Sequence, residues 1–288
     1  MNETLGTNET QPVADVTIVL ESTGDTPGQI LSTTKRILNT AHSIGKESVQ
    51  VIASIHIGSM VADYKRWTAE YDQIQLEMPN LTILGVDEGN QWTHAYSYLF
   101  PIKTVAYNGS GQRIIVEMDG GGGHLPEEIP GFLFDPKKTS VALSTRFAKG
   151  GKNLATPQRK AVSYLGTLAT NVLAIPPTFQ YPWIWVTDGT SGFESFSAGI
   201  IRTLFNIVPI ESFICVQKGA PFHLYQTEMR AYLLAILSAS KKDGLIEIPI
   251  TYGKEKKVSN LPPRYVLQSA LQFPHIRKNV LAIFETLK

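Results

Sequence analysis

Apolar residues along the chain change period in a regular way. "DVTIVLES", from Asp15, is β-branched and uncharged through its centre, the pattern of a buried strand. "GQILSTTKRILNTAHSIG" repeats its apolar positions at helical spacing and stops at Gly45. "SVQVIASIHIGS" predicts a second strand, followed by a polar-aromatic helix through Trp67 and Tyr71. "LTILGVD" and "QRIIVEMD" predict strands three and four, "PEEIPGFL" a short helix, and "KTSVALSTRF" a fifth strand that runs into the basic loop "AKGGKN". A helix is expected from about Pro157 to Ala174, then the Pro/aromatic segment "IPPTFQYPWIWV" and "TDGTSGF". "YQTEMRAYLLAILSAS" predicts a helix, "LIEIPITYG" a strand, and a loop "KEKKVSNLPP" precedes a C-terminal amphipathic helix. Strands alternating with helices imply an α/β protein with a mostly parallel sheet flanked by helices.

In such sheets ligands bind beyond the carboxyl ends of the strands, and Asp119 stands at one such end. Four glycines follow it, Gly120, Gly121, Gly122 and Gly123, then His124. With 288 residues and no internal repeat, one large domain is expected over 15–264, preceded by a polar disordered leader over 1–14 and followed by the amphipathic helix over 265–288. The formal net charge of +1 argues against general nucleic-acid binding. A single cysteine, Cys215, excludes an internal disulfide and a cysteine-based zinc cluster. Without a secretory signal or an apolar run of membrane-spanning length, the expectation is a cytoplasmic protein that touches a membrane from one side at most.

The ordered motifs carry a resemblance. "MDGGGGHLPEEIP" is similar to the M-D-A-D-x-x-H-P-P-E-x-I-P pattern at Met118, Asp119, His124, Pro126, Glu127, Ile129 and Pro130. "STRFAKGG", with Arg146, resembles G-S-R-x-x-x-G-G, and "DGTSGF" resembles D-x-T-S-G-F at Asp188, Thr190, Ser191, Gly192 and Phe193. "YQTEM" resembles F-Q-x-E-M with Gln226 and Glu228, "EIPITY" resembles E-V-P-I-x-F, and "KKVSNL" stands where a basic G-x-S-K-L loop would be. Over residues 16 to about 275 the chain thus resembles the family 2 glycosyltransferases, most of all the dolichyl-phosphate mannosyltransferase (polyisoprenyl-phosphate hexosyltransferase) branch. The resemblance implies a GT-A, Rossmann-like fold, a nucleotide-sugar donor, a Mn or Mg ion, and a polyisoprenyl phosphate acceptor.

By that resemblance Asp119 is catalytic and the metal carboxylate, while Gly121 stands where a second aspartate belongs. One carboxylate alone makes a poor divalent-cation site, so metal binding is expected to be weak or absent. Glu117 shares a strand face with Asp119 but sits deeper than the loop. Donor binding falls to Asp25, Ser59 and the amides of Gly120–Gly123. His56 and Ile57 replace the acids of the family's second strand, so the donor half departs from the pattern more than the acceptor half. Arg146, Arg159, Lys256 and Lys257 are the acceptor-phosphate residues, since an anion needs cations rather than a base. A hydroxyl acceptor would need a carboxylate base, and Asp188 is the candidate. His124, Gln226 and Glu228 are supporting residues, and Trp183, Trp185 and His56 are read as packing. Three readings stay open: polyisoprenyl-phosphate hexosyl transfer, a soluble transferase acting on a hydroxyl of a glycan, small molecule or modified DNA base, and a catalytically silent binding scaffold.

Overall fold

The computed structural model describes residues 15–22, 25–46, 48–56, 74, 76, 78–86, 94–175, 185–218, 224–240, 244–253 and 268–288. The leader, the expected helix around Trp67 and Tyr71, and Ser59, Trp183, Lys254, Lys256 and Lys257 lie outside them.

β1 (Val16–Ser22) is buried at every residue. Thr26 then caps α1 (Pro27–Ser43): its hydroxyl accepts from Gln29 N at 3.3 Å, and Thr26 N donates to the Gln29 side chain at 2.9 Å. The turn out of α1 contains Gly45 at φ 71, a left-handed position that glycine takes without steric cost. β2 (Val49–His56), β3 (Leu81–Val86), α2 (His94–Asn108) and β4 (Ile114–Asp119) complete the first half. A 3-10 segment, Pro126–Phe132, leads to β5 (Val141–Thr145), short β6 (Lys152–Asn153) and α3 (Pro157–Ala169), which runs on as a π turn over Thr170–Ala174. Then come β7 (Glu194–Ser197), α4 (Ala198–Ile207), the one-turn α5 (Ile214–Gln217), α6 (Leu224–Ala239), β8 (Leu245–Pro249), β9 (Thr251–Tyr252) and α7 (Phe273–Leu287).

Seven strands form the central sheet in the order β3-β2-β1-β4-β7-β5-β8. It is mostly parallel, as expected; only β7 runs against its neighbours β4 and β5. Period-2 alternation splits the core between its faces. Val16, Ile18 and Leu20 of β1, with Ile114, Val116 and Met118 of β4, pack with α1. Val19 and Ile115 face the opposite cluster, built from α2, α4, α6 and α7.

The expected strand "LIEIPITYG" is two strands in two sheets. Pro249 has no N–H to continue the ladder, and the chain changes partner at the next residue. Ile250 donates to Thr145 O at 3.0 Å in the large sheet, while its carbonyl accepts from Lys152 N at 2.8 Å beside the small β6–β9 pair. α2, β7, α4 and α5 have no counterpart in the sequence pattern. Pro101 inside α2 and the polar composition of the buried β7 hide their periodicity.

α7 buries Phe273, Ile276, Val280, Ile283 and Phe284 in the same cluster as α6. The apolar face of this amphipathic helix is therefore occupied by the chain's own core. Among the described residues no helix is long and apolar enough to cross a membrane. Ile276→Ala should lower the unfolding free energy by about 2–5 kcal/mol in a urea titration, as for a fully buried core side chain. An unchanged midpoint would make α7 an appendage.

Candidate functional site

The glycine run closes tightly around two carboxylates. Asp119 Oδ1 accepts from Gly121 N at 2.7 Å, and Asp119 N donates to His124 Nδ1 at 3.1 Å. A Cβ at position 121 would lie 2.8 Å from Asp25 Oδ1 and 3.1 Å from Asp119 Oδ1. One at 123 would lie 2.7 Å from Asp119 Oδ2 and 3.2 Å from the Tyr252 ring. One at 120 would meet Ile30 Cδ1 at 2.8 Å and Glu21 O at 3.0 Å, and Gly122 has φ 81. Each glycine has its own reason: three lack room for a side chain and the fourth is left-handed.

This corrects the expectation of open amides at two of the four glycines. Gly120 N donates to Glu21 O at 2.8 Å and Gly121 N is held by Asp119, so neither is left to bind phosphate. Asp25, buried behind the turn and hydrogen-bonded by Ser22 Oγ at 3.3 Å, brings its carboxylate to the empty side of Gly121. His124 is buried between the rings of Phe193 and Tyr252, with centroids at 5.2 and 5.3 Å, and braces the loop.

At the end of β5, Arg146 and Asp188 form a buried two-point pair. Arg146 Nε donates to Asp188 Oδ2 at 2.6 Å, and Nη2 donates to Asp188 Oδ1 at 2.8 Å and to Thr190 Oγ1 at 2.6 Å. The Arg146 guanidinium also lies 5.0 Å from the Tyr252 ring centroid, on the side of the glycine loop. Burial acts to raise the Asp188 pKa, but the Arg146 fork, with Arg230 nearby, holds it below its ordinary value. Asp188 is 0% exposed. A carboxylate so enclosed and so acidic is not a general base, which corrects the role expected for a hydroxyl acceptor. It positions Arg146.

The remaining expected residues separate. Arg159 lies half-buried in the first turn of α3 and has an interaction of its own. Gln226 Nε2 donates to Glu117 Oε1 at 3.3 Å, inside the protein. Glu228 accepts from Ile214 N at 2.7 Å and Cys215 N at 3.0 Å, which ties α6 to the start of α5. Trp185, read as a packing residue, is 50% exposed.

Sequence reasoning passed over the layer behind the site. Glu21, Glu117 and Glu194 lie buried on neighbouring strands β1, β4 and β7, on the face toward α6. Glu117 Oε1 accepts from Tyr225 Oη at 2.6 Å, and Arg230 pairs with Glu194 while donating to Asp188 O at 2.8 Å and Ser191 O at 2.6 Å. Glu21 Oε1 and Glu117 Oε2 are buried without a hydrogen-bond partner, and burial with the neighbouring Glu117 pushes the Glu21 pKa well up. Burial, with Glu117 and Asp188 nearby, pushes Glu194 up to about 8 despite the pull of Arg230. The signal for Arg230 was an arginine at the head of the apolar run "AYLLAIL" of α6, since a helix buried on every side must pair any charge it carries.

The described residues hold no group of three or more His, Cys, Asp or Glu able to bind a metal ion. Two carboxylates, Asp25 and Asp119, do converge on the space left by the missing Gly121 side chain. That fits a divalent cation which takes its other ligands from a diphosphate and water.

No protein-family model matches this sequence. Over 143 residues it is 29% identical to the undecaprenyl-phosphate mannosyltransferase of Micrococcus luteus. The chain is similar to a polyprenyl-phosphate mannosyltransferase. That match covers 49% of this chain and 50% of the relative, so the chain spans about half the length of the protein it matches. Among solved structures, a mannosyltransferase from Pyrobaculum calidifontis, in complex with GDP-Man and Mn2+, superposes with a TM-score of 0.44 at 12% identity, covering 94% of this chain and 74% of that one. The 4-diphosphocytidyl-2C-methyl-D-erythritol synthase of Anaerococcus prevotii gives 0.43 at 9% identity, covering 90% and 98%. Neither structural likeness is close enough to carry chemistry.

Two measurements check the buried charges. Arg146→Ala should cost about 3–5 kcal/mol in denaturant unfolding, because Asp188 is left without its cation. Between pH 4.5 and about 8 the folded chain keeps the Glu194 proton that the unfolded chain has released, so stability falls as pH rises through that window. Asp188 acts in the opposite sense, and its stabilisation is lost as pH drops below 3.8. The melting temperature should therefore fall from pH 5 to pH 8, and Glu194→Gln should flatten that slope.

Proposed function

We propose that this protein is an inverting glycosyltransferase that moves a hexose from a nucleotide-sugar to a polyprenyl phosphate. The observation that carries the reading is the convergence of Asp25 and Asp119 on the bare side of Gly121, at the carboxyl ends of β1 and β4. The similarity to an undecaprenyl-phosphate mannosyltransferase supports the choice of lipid phosphate, and of mannose as the first sugar to try.

On this reading Asp25 and Asp119 are the residues that would hold a divalent cation, and such an ion would supply positive charge to the departing diphosphate. The acceptor phosphate is already an anion, so its oxygen attacks the anomeric carbon directly while the bond to the nucleoside diphosphate breaks. No proton has to be removed, which agrees with a site where Asp188 is locked to Arg146. Nε and Nη2 of Arg146 are committed to Asp188 and Thr190, which leaves Nη1 for the incoming phosphate. A single displacement of this kind inverts the anomeric configuration.

The test incubates the purified protein with GDP- and UDP-sugars and a polyprenyl phosphate, with and without Mn2+, and measures nucleotide release and glycolipid. Asp119→Asn should lower kcat by about 100-fold or more. Asp25→Asn should raise the Mn2+ concentration needed for half-maximal rate. Absence of nucleotide release with every donor would sink the proposal, and the silent-scaffold reading would then stand.

A further inference from the structure

We propose that the amino end of β4 carries a binding site for a phosphate-type oxyanion, built on Arg113 and Arg202. An arginine taken out of water normally brings a carboxylate with it. Arg146 and Arg230 both do. Arg113 does not. It is 6% exposed, its Nε is buried with no hydrogen-bond partner, and its guanidinium forms no ion pair among the described residues. Asp15, an exposed acid, attracts it without pairing with it.

A second positive charge stands against it. Arg202 of α4 reaches the turn between α2 and β4, where Nε donates to Ala106 O at 2.7 Å and Nη2 to Gly109 O at 2.5 Å. Both of those partners are carbonyls, so the charge of Arg202 also goes without a carboxylate among the described residues. Burial, with Arg202 nearby, pulls the Arg113 pKa below its ordinary value despite Asp15. The start of α4 adds to the positive field. Ala198 N donates to Arg113 O at 2.8 Å and Gly199 N to Gly111 O at 3.3 Å, which fixes the first turn of this ten-residue helix beside the two arginines.

The seat is shaped to the side chain it holds. A Cβ at Gly109 would lie 2.6 Å from Arg113 Nε and 2.7 Å from its Cζ, so only glycine lets the guanidinium lie there. Arg202 grips the carbonyl of that same glycine, and the two cationic groups meet at one residue. Like charges held together in this way are complemented by a ligand with two negative charges and several acceptor oxygens. Phosphate has both, and a guanidinium fork binds it at two points. The six residues of β4 place the site about 20 Å from the Asp119 end of the strand. The inference therefore stands apart from the proposed reaction, and binding is measured without donor, acceptor or Mn2+.

The test is thermal unfolding of the full chain in sodium phosphate, sulfate or acetate, with ionic strength held constant by NaCl. At about 20 mM, phosphate and sulfate should raise the melting temperature by about 2–4 °C, and acetate by less. Arg113→Gln removes the unpaired charge, so it should melt no lower than the parent in NaCl and lose at least about tenfold in apparent phosphate affinity. Gly109→Ala keeps both charges but pushes the Arg113 guanidinium off its seat, and it should lose affinity too. A phosphate shift that survives both variants belongs to another site, Arg146 included, and overturns the proposal. So does the absence of any shift in the parent, or an equal shift with acetate. A melting temperature for Arg113→Gln well below that of the parent in NaCl also overturns it, since the chain itself would then supply the partner.

Discussion

Arg146 and Asp188 hold opposite full charges where almost no water reaches them, and the neighbouring segments are arranged around keeping them together. Breaking such a pair exposes an uncompensated charge to a low-dielectric interior, a far larger loss than any surface contact. The pair therefore fixes the end of β5 against the 186–191 segment. Arg230 holds that segment from behind through the Asp188 and Ser191 carbonyls, and Thr167 and Asn171 hold it from α3. β5, α3, α6 and the Asp188 turn are joined at a single point, and Arg146 is presented from it in one fixed orientation.

The other half of the site works by crowding. The glycine loop is wrapped onto its own aspartate, and the Gly120 and Gly121 amides are spent within the fold. Carboxyl groups gather here: Asp25 and Asp119 in front, with Glu21, Glu117 and Glu194 behind and Arg230 against Glu194. Such a concentration is tolerable because protons are retained in the rear layer. Tyr252 joins the two halves, with the Arg146 guanidinium over its ring and Gly123 and His124 against it.

β1 and β4 were legible because they are buried and read as uninterrupted β-branched runs, "TIVL" and "IIV". β7 was not, because "ESFS" is half polar and its glutamate is legible only beside Arg230, 36 residues away. Among site residues, Asp119, Arg146 and Asp188 stood out through motifs, but which of them face each other is a property of the fold. Asp188 looked like a base until its two oxygens were seen in the Arg146 fork. The amphipathic pattern of α7 correctly foretold an apolar stripe, yet periodicity alone says nothing about what covers it. α3 has a similar pattern and the opposite fate, since its polar residues found partners inside.

The bare side of Gly121 bears on how such a site is found in a sequence. The acids that meet there stand 94 positions apart in sequence, so a search keyed to two aspartates flanking a single residue passes over the pairing. A side chain at 121 meets a further constraint: its Cβ would lie 2.8 Å from Asp25 Oδ1, so the Asp25 carboxylate would have to shift to admit it.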